Sequence, residues 1–377
     1  MTRVVLATHW VTMYPRAGGH FWVFLQYADA LRRVGCDVWW LEELPTGLDP
    51  AQERARVAEL IGRLRPHRLG DHLIAYRRSD RAGGAPSYLN LPRAQAERVL
   101  GGAELLLNFH YALPAEVHGR FRRTALVDID PGLLQLWWRE GSLDVQPHDI
   151  YFSIGENLRE VPGHRTACWV HTPPAVSLDL WPVRYDPGPA PFTTVTSWYS
   201  RSYVTIDGET VDTNKRVSYL RHVELPRHTR TRLELATVLS SEDETDRRLL
   251  ASRGWSVRDA VQVAGDPESY QAYVQGSRGE FACAKPAYVL LGNAWISDRT
   301  VCYLASGKPA VVQDTGPSAY LPSGSGLLRF STPEEAVAGL AEVEAHYERH
   351  CRAARELAES CFAARAVVTR MLQQALR

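Results

Sequence analysis

The sequence predicts an α/β protein of two domains, each with a parallel sheet covered by helices. At 377 residues the chain exceeds the size at which one hydrophobic core keeps growing. Short apolar runs alternate with helical stretches in both halves, which is typical of parallel sheets. Four prolines between Trp181 and Pro191 indicate a linker, because proline fixes φ and excludes a continuing helix.

The first half begins with a buried strand, a loop and an amphipathic helix over residues 21–34. Polar or Gly/Pro-rich segments follow its apolar runs, and ligands bind to such segments at the carboxyl ends of parallel strands. The predicted strands of this half cover residues 4–7, 36–41, 103–108, 124–129 and 150–154.

The second half repeats the alternation after the linker. Residues 205–214 resemble a polar hairpin, and the alanine-rich tail over residues 333–377 is predicted to be helical and to reach back over the first domain. The predicted strands cover residues 192–196, 232–239, 261–264, 281–283 and 310–313. The expected division is a first domain over residues 1–175, a linker over 176–190, a second domain over 191–353 and a returning helix over 354–377.

The composition is that of a soluble globular protein with no net charge. Hydrophobic residues make up 45% of the chain and charged residues 23%, which excludes a disordered protein. Lys+Arg and Asp+Glu are equal at 43 each, so net charge recruits neither nucleic acid nor an anionic membrane. No apolar run approaches the roughly 20 residues that span a bilayer, and the N-terminus lacks the apolar core of a signal peptide. We expect a cytoplasmic location.

Cysteine and lysine usage adds two expectations. The cysteines are scattered without a C-x-x-C pair, which predicts reduced and mostly buried thiols. Only three residues of the Lys+Arg total are lysines, and this arginine bias indicates a GC-rich bacterial genome. The cysteines are Cys36, Cys168, Cys283, Cys302, Cys351 and Cys361, and the lysines are Lys215, Lys285 and Lys308.

A candidate anion site lies within residues 276–330. A helix is predicted to begin at Ser297 or Asp298 and to end before Gly307, which can supply the positive φ that terminates helices. Ser297 is a candidate N-cap. The unpaired N–H groups and the dipole of a helix N-terminus favour an anion such as a phosphate, and Arg299 in the first turn can add charge-assisted hydrogen bonds.

Further polar residues surround this helix in sequence. Small residues before the strand at 281–283 allow close backbone approach, and Asp314, Thr315 and Gly316 follow the strand at 310–313. Two interpretations stay open for several of them, since Lys215 can be a surface residue of the hairpin and Asp314 can form an Asx turn. The candidate ligand-binding residues of this half are Lys215, Arg278, Glu280, Lys285, Ser297, Asp298, Arg299, Thr300, Asp314, Thr315 and Gly316.

In the first half, Gly18, Gly19 and His20 follow the first strand. The absence of G-x-G-x-x-G argues against a dinucleotide cofactor. A neutral imidazole accepts a proton near pH 7, so His20 is a candidate general base or merely a packed helix-terminal residue. Alternation on a strand places Asp128 and Asp130 on one face, where Asp130 can orient His20 or the pair can bind a divalent metal.

Two Rossmann-like halves joined by a proline-rich linker resemble the GT-B glycosyltransferases of families 1 and 4. The stretch from Cys302 through Gly307 and Pro309 is similar to the family segment E-A-M-A-x-G-x-P-V-V. The resemblance implies a nucleoside-diphosphate sugar bound by the second domain and an acceptor bound by the first, with Gly18 and Gly19 near the reacting sugar. It also implies metal-independent transfer to a hydroxyl or amine, with His20 as base and Asp130 as its partner.

This sequence departs from the family segment at Cys302, where many members have a glutamate that holds the ribose hydroxyls. Asp298 or Glu280 could take that role. A non-hydrolysing nucleotide-sugar 2-epimerase and a non-catalytic GT-B partner protein remain alternatives. The expected partners are a nucleotide sugar and a small-molecule or saccharide acceptor, in specialised-metabolite or cell-surface saccharide biosynthesis. The sequence leaves open the donor, the acceptor and the choice between inversion and retention.

Overall fold

The computed structural model describes residues 1–81, 83–158, 169–200 and 203–377. Within these ranges the chain forms two large sheets with helices on their faces, together with a separate two-stranded hairpin. Both sheets are parallel apart from one short edge strand. This is the α/β architecture of two Rossmann-like units that the alternation of apolar runs predicted.

The first sheet has the order β4-β3-β2-β1-β5-β6-β7-β8 in the described part of the chain, with only β4 antiparallel. Its strand order reverses between β1 and β5, so the loops that follow these two strands diverge and leave a crevice. The strands are β1 (Arg3–Ala7), β2 (Asp37–Glu43), β3 (Leu73–Arg77), β4 (Ser87–Tyr88), β5 (Leu105–Asn108), β6 (Thr124–Asp128), β7 (Ile150–Ser153) and β8 (Trp169–His171).

Helices connect these strands. The first is almost wholly apolar on the side that faces the sheet, with Phe21, Phe24 and Leu31 buried, and it carries Arg32 and Arg33 in its last turn, where they complement the helix dipole. The helices of this half are α1 (Gly18–Arg33), α2 (Pro50–Leu64), α3 (Arg93–Gly101), α4 (Ala115–His118) and α5 (Leu133–Arg139), with a 3₁₀ turn at Arg65–His67.

The second sheet is parallel throughout, with the order β13-β12-β9-β14-β15-β16 among the described residues. Its order reverses between β9 and β14. The hairpin predicted near residues 205–214 is present as β10 and β11, which pair only with each other. The strands are β9 (Phe192–Val195), β10 (Tyr203–Ile206), β11 (Glu209–Asp212), β12 (Leu233–Thr237), β13 (Ser256–Asp259), β14 (Gly279–Ala282), β15 (Ala310–Gln313) and β16 (Leu327–Phe330).

The helices of the second half cover this sheet, and the last one packs on the first half of the chain. The predicted single helical tail is divided into α12, α13, a π-helical turn at Ala358–Phe362 and α14. The helices are α6 (Lys215–Arg221), α7 (Glu244–Ser252), α8 (Ala260–Ala264), α9 (Pro267–Gln275), α10 (Pro286–Leu291), α11 (Asp298–Ala305), α12 (Pro333–Ala345), α13 (Tyr347–Leu357) and α14 (Ala364–Ala375), with 3₁₀ turns at Leu225–Arg227 and Ser241–Asp243.

The strand predicted at residues 261–264 is wrong. This segment belongs to α8, whose N-cap Asp259 accepts a hydrogen bond from the Val261 backbone at 2.9 Å. The strand lies just before it, at β13. A four-residue apolar run does not distinguish a strand from a helical turn, and the aspartate that precedes it is the signal that favours the helix.

The last helix packs on the first half of the chain. Helix α14 lies against α1, and the Val176 backbone exchanges hydrogen bonds with Phe362 O (2.8 Å) and Ala364 N (2.9 Å). Arg123 Nε donates to Ala375 O at 2.6 Å. One continuous hydrophobic core joins α1, α14 and α11.

The described cysteines are all free thiols. In the described ranges the free cysteines are Cys283, Cys302 and Cys351, which are buried, and Cys36 and Cys361, which are partly exposed; Cys168 lies outside those ranges. No described helix is long and apolar enough to cross a bilayer.

Candidate active site

A cleft of about 600 Å³ lies between the two sheets. One wall is the loop before α1 and the first turns of that helix. The other wall consists of segments that follow the carboxyl ends of β9, β12 and β13, together with the start of α11 and Lys215. Both sheets therefore present the carboxyl ends of their strands to one crevice, which is where doubly wound proteins bind ligands.

Gly18 and Gly19 line this cleft at the start of α1 and also contact the opposite half of the chain. A Cβ atom on Gly18 would lie 2.1 Å from Asp266 O, and one on Gly19 would lie 2.7 Å from the Tyr270 ring. The Trp22 indole donates to Pro267 O at 2.8 Å. The two glycines allow α1 to approach α9, and this approach forms one end of the cleft.

His20 lines the cleft and has a fixed ring orientation. Its Nε2 donates to His9 O at 2.5 Å, and its ring packs edge-on against Tyr14 and Phe24. This hydrogen bond leaves Nδ1 as the nitrogen with the lone pair. Burial lowers the pKa of His20 below 6.5, although the His9 carbonyl and Asp130 act in the opposite direction. The imidazole is therefore neutral near pH 7 and can accept a proton.

The predicted helix at the anion site is present as α11. Ser297 is its N-cap and accepts a hydrogen bond from the Arg299 backbone at 3.2 Å, and Gly307 has φ +70° just beyond its end. Ser297, Asp298 and Arg299 line the cleft, whereas Thr300 is buried and does not line it. Burial raises the pKa of Asp298 to about 7, with a smaller contribution from Asp130.

Arg299 is held by a buried ion pair. Its Nε contacts Glu280 Oε1 at 2.5 Å, and its Nη1 donates to Val195 O at 2.9 Å. Glu280 is fully buried and Arg299 is 9% exposed. Arg299 lines the cleft, and its charge is balanced by Glu280. Glu280 does not line the cleft, so Asp298 is the one of the two expected ribose-binding carboxylates that does.

Lys215 also lines the cleft. It is 9% exposed, and its Nζ lies 5.9 Å from the centre of the Trp295 ring. Among the described residues no carboxylate or hydrogen-bond acceptor contacts this nitrogen. Burial, with Arg299 and Lys285 nearby, lowers the pKa of Lys215 well below 10.5. A bound anion would reverse that shift and stabilise the ammonium.

The predicted contact between Asp130 and His20 is not formed. Asp130 Oδ1 instead accepts from Tyr288 OH at 2.6 Å and pairs with Lys285 Nζ at 3.2 Å across the two halves of the chain. Burial tends to raise the pKa of Asp130, but Lys285 and Tyr288 outweigh it and lower the pKa below 3.8. Lys285 is therefore already paired with a carboxylate, and its predicted contact with the donor remains untested.

Asp128 is buried, and both of its carboxylate oxygens accept hydrogen bonds. Its carboxylate accepts hydrogen bonds from Ser153 Oγ (2.8 Å), Gln135 Nε2 (3.0 Å) and the Asp130 backbone (2.9 Å). Burial raises its pKa to about 7. Because both oxygens already have partners, the alternative of a metal site formed by Asp128 and Asp130 receives no support from this arrangement.

Arg278, one of the predicted ligand-binding residues, does not line the cleft. It pairs with Glu344 at 2.9 Å and stacks over the Tyr347 ring at 3.3 Å, which joins the sheet to α12 and α13. Its position explains this outcome. Arg278 precedes β14 and so lies at the amino end of a parallel strand, whereas ligands bind at the carboxyl end.

Asp314, Thr315 and Gly316 form a turn outside the described lining of the cleft. Asp314 accepts from the Gly316 backbone at 3.1 Å, which is the Asx turn considered for this segment. Thr315 Oγ1 donates to Trp295 O at 2.7 Å. Gly316 has φ +115° and packs against the Gly292 backbone. These contacts support the loop before α11, and the predicted sugar contacts remain untested.

Two exposed side chains of the cleft were missed. Tyr199 is 51% exposed and Val238 is 57% exposed, and both follow the carboxyl ends of strands, β9 and β12. Tyr199 OH is held by Asp243 at 2.5 Å. Their position after a predicted strand was the available signal, because that end of each strand faces the ligand.

Comparison with solved structures places this geometry in a known architecture. An α-glucosyltransferase solved with UDP and a 13-mer DNA containing an HMU base has a TM-score of 0.63 and 11% identity, over the whole of both chains. HepE from Anabaena, solved with UDP-glucose, has a TM-score of 0.59 and 11% identity over 99% of each chain. The chain has the GT-B fold.

A third neighbour, the sucrose-phosphate synthase of Thermosynechococcus elongatus, has a TM-score of 0.56 and 12% identity over 99% of this chain and 98% of the other. No protein-family model matches the sequence, and no curated protein is significantly similar to it. At these identities the likeness establishes the fold.

Proposed function

We propose that the protein is a metal-independent glycosyltransferase that uses a nucleoside-diphosphate sugar. The observation that carries the proposal is Lys215, which is 9% exposed and forms no ion pair among the described residues, in the same cleft as the N-terminus of α11 and Arg299. A diphosphate would supply the missing negative charge. Structural neighbours were solved with UDP or UDP-glucose, so uridine nucleotides are the first donors to test.

The reaction is attack by an acceptor hydroxyl or amine on the anomeric carbon. The bond between that carbon and the diphosphate oxygen breaks, and Lys215, Arg299 and the α11 amide groups stabilise the negative charge that develops on the leaving group. In an inverting reaction the acceptor proton passes to His20 Nδ1. In a retaining reaction no base is required on that face and His20 contacts the sugar.

The proposal also covers the acceptor and the alternative of a 2-epimerase. The acceptor is a small molecule or a saccharide bound by the first half of the chain, in specialised-metabolite or cell-surface saccharide assembly. A 2-epimerase would use the same cleft but would convert the nucleotide sugar without an acceptor, so product analysis with donor alone separates the two reactions.

The proposal is tested by a thermal-shift series with UDP, GDP, TDP and their sugars, since a ligand that binds the folded state raises its melting temperature. We expect one nucleotide family to raise the melting temperature and adenosine to have no effect. If none of these compounds stabilises the protein, and calorimetry shows that none binds, the result favours the non-catalytic GT-B partner.

A further inference from the structure

Glu42 is a buried acidic residue that the proposed reaction does not use. It lies near the end of β2, is fully buried and does not line the cleft. In the described part of the chain its oxygens accept hydrogen bonds only from Thr8, Thr12 and Trp40, and no cation pairs with them. Burial raises the pKa of Glu42, and these hydrogen bonds act in the opposite direction. Such a group is costly to bury unless its hydrogen bonds compensate.

The hydrogen bonds of Glu42 hold both ends of a short segment in the loop after β1. Its Oε1 accepts from the Thr12 amide at 2.7 Å and from Thr12 Oγ1 at 2.9 Å, and its Oε2 accepts from Thr8 Oγ1. Thr8 directly follows β1, and residues 9–11 lie between the two threonines. One carboxyl group therefore fixes the chain on either side of residues 9–11.

This segment has a strained backbone. Trp10 has φ +53°, in the left-handed region that large side chains rarely adopt. The Met13 and Tyr14 amides donate to Trp10 O at 3.1 and 3.3 Å. Strain of this kind persists only where the surrounding contacts enforce it. The bonds to Glu42 are contacts of that kind, because they prevent the chain on both sides of Trp10 from relaxing.

The same segment orients His20. The His20 ring donates from Nε2 to His9 O at 2.5 Å, and a carbonyl oxygen can only accept, so Nδ1 is the nitrogen with the lone pair. Asp130, the predicted partner of His20, is bonded to the second half of the chain instead. The tautomer of His20 therefore depends on a backbone carbonyl that directly precedes the strained Trp10.

We propose that Glu42 is a positioning residue for His20. It holds the loop after β1 in the conformation in which the His9 carbonyl fixes the Nε2–H tautomer, which leaves Nδ1 free to take the acceptor proton. Glu42 contacts neither His20 nor a ligand and acts only through the loop. The inference rests on the proposed function, in which His20 is the base of an inverting reaction.

Two substitutions of Glu42 test the hydrogen bonds themselves. Glu42→Leu removes all of them. Glu42→Gln keeps an oxygen for Thr12 and places an amide group beside Thr8 Oγ1, whose hydroxyl can still donate to Leu41 O at 3.1 Å. The glutamine variant should therefore preserve the loop, and the leucine variant should release it.

Glu43→Leu is the matched control for lost stability. Glu43 is the next residue of β2 and is 7% exposed, but its carboxylate bonds to Tyr76 (2.9 Å) and Arg78 (3.0 Å) and not to the side chains of the loop. Both leucine variants remove a buried carboxyl group from one strand. Only Glu42→Leu removes the contacts that hold residues 9–11.

The measurement is the tautomer of His20, read from an NMR spectrum of the full chain with ¹⁵N-labelled histidine. At about pH 8 the imidazole is neutral, since its pKa lies below 6.5, and His20→Gln identifies its signals. We expect only the Nε2–H tautomer in the wild type, Glu42→Gln and Glu43→Leu. We expect Glu42→Leu to contain the Nδ1–H tautomer as well. If Glu42→Leu does not fold, Thr12→Val replaces it, because valine has a similar shape and removes one hydroxyl from the carboxyl group.

Kinetics give a second readout. In an inverting reaction kcat of Glu42→Leu should fall about tenfold or more with an unchanged KM for the donor, because a misoriented base affects proton transfer and not donor binding. Glu42→Gln and Glu43→Leu should stay within about twofold of the wild-type kcat. A purely structural role of Glu42 would lower kcat equally in both leucine variants and would contradict the inference.

The inference and the proposed function fail in different ways. Absence of nucleotide binding contradicts the proposed function, while the tautomer measurement still decides whether Glu42 positions His20. The inference is overturned if Glu42→Leu, or Thr12→Val in its place, keeps the single wild-type tautomer. It is also overturned if Glu43→Leu changes the tautomer as much, or if Glu42→Gln changes it as fully as Glu42→Leu does.

Discussion

Lys215 is the residue on which the proposed donor site depends most directly, because it is largely buried and forms no ion pair among the described residues. Lys215→Met should weaken UDP binding by about 1.5–3 kcal/mol, roughly 10- to 150-fold, as expected for a lost charge-assisted contact. Isothermal titration calorimetry measures this change. Lys308→Met is the matched control, since Lys308 is 1% exposed but lies beyond the far end of α11. Equal affinities of the two variants would remove Lys215 from the site.

Arg299 is expected to affect stability as well as binding. Arg299→Ala leaves the Glu280 carboxylate buried without its partner, which costs about 3–5 kcal/mol of unfolding free energy. Urea denaturation measures the loss. Adding Glu280→Ala should recover much of it, because the unpaired charge is then gone. If the single variant is as stable as the wild type, the ion pair described here does not exist in solution.

His20 leads to a prediction about pH. Burial lowers the pKa of His20 below 6.5. The neutral imidazole therefore predominates at pH 6.5 and above, and it becomes protonated only as the pH falls through the lowered pKa. For an inverting reaction kcat/KM should therefore be constant from pH 7 to 8 and fall only below pH 6.5. His20→Ala should abolish turnover and retain UDP affinity. Full activity in that variant would exclude His20 as the base.

Among the elements, helix α1 matters because its first turn contacts the opposite half of the chain. Gly18→Ala would place a methyl group 2.1 Å from Asp266 O, so α1 and α9 must separate at a cost of about 1–3 kcal/mol. We expect a lower melting temperature and weaker UDP binding. Gly62→Ala is the control, since Gly62 lies in α2 with no atom within 4 Å of its added Cβ and should gain up to about 1 kcal/mol. Similar effects at both positions would contradict the tight contact.

The elements also show what the sequence can and cannot predict. The strand after the linker, the N-cap at Ser297 and the stop at Gly307 were recognisable, because caps and apolar runs are local signals. The ion pairs of Arg278 and Lys285 could not be predicted from the sequence. Each depends on partners far along the chain, Glu344 and Asp130, and no local pattern records that pairing. The position of a residue before or after a strand did carry information, because ligands bind at the carboxyl ends of parallel strands. Arg278 precedes β14 and Lys285 follows it.

At the scale of the whole molecule, the two halves join through polar contacts around the cleft. Asp130 pairs with Lys285, and Asn293 Nδ2 donates to Pro131 O at 2.5 Å. In the proposed reaction, Lys215 and Arg299 supply the positive charge that a divalent ion would otherwise provide. Activity should therefore survive dialysis against EDTA with less than a twofold change. A strict requirement for Mn²⁺, restored by its addition, would contradict this account.

The central claim is that a diphosphate binds in the cleft between Lys215 and the start of α11. A crystal structure with UDP tests it most directly. The account predicts phosphate oxygens within hydrogen-bond distance of Lys215 Nζ and of the backbone amides that follow Ser297. A cleft without nucleotide, or a nucleotide whose phosphates lie away from both groups, would contradict it.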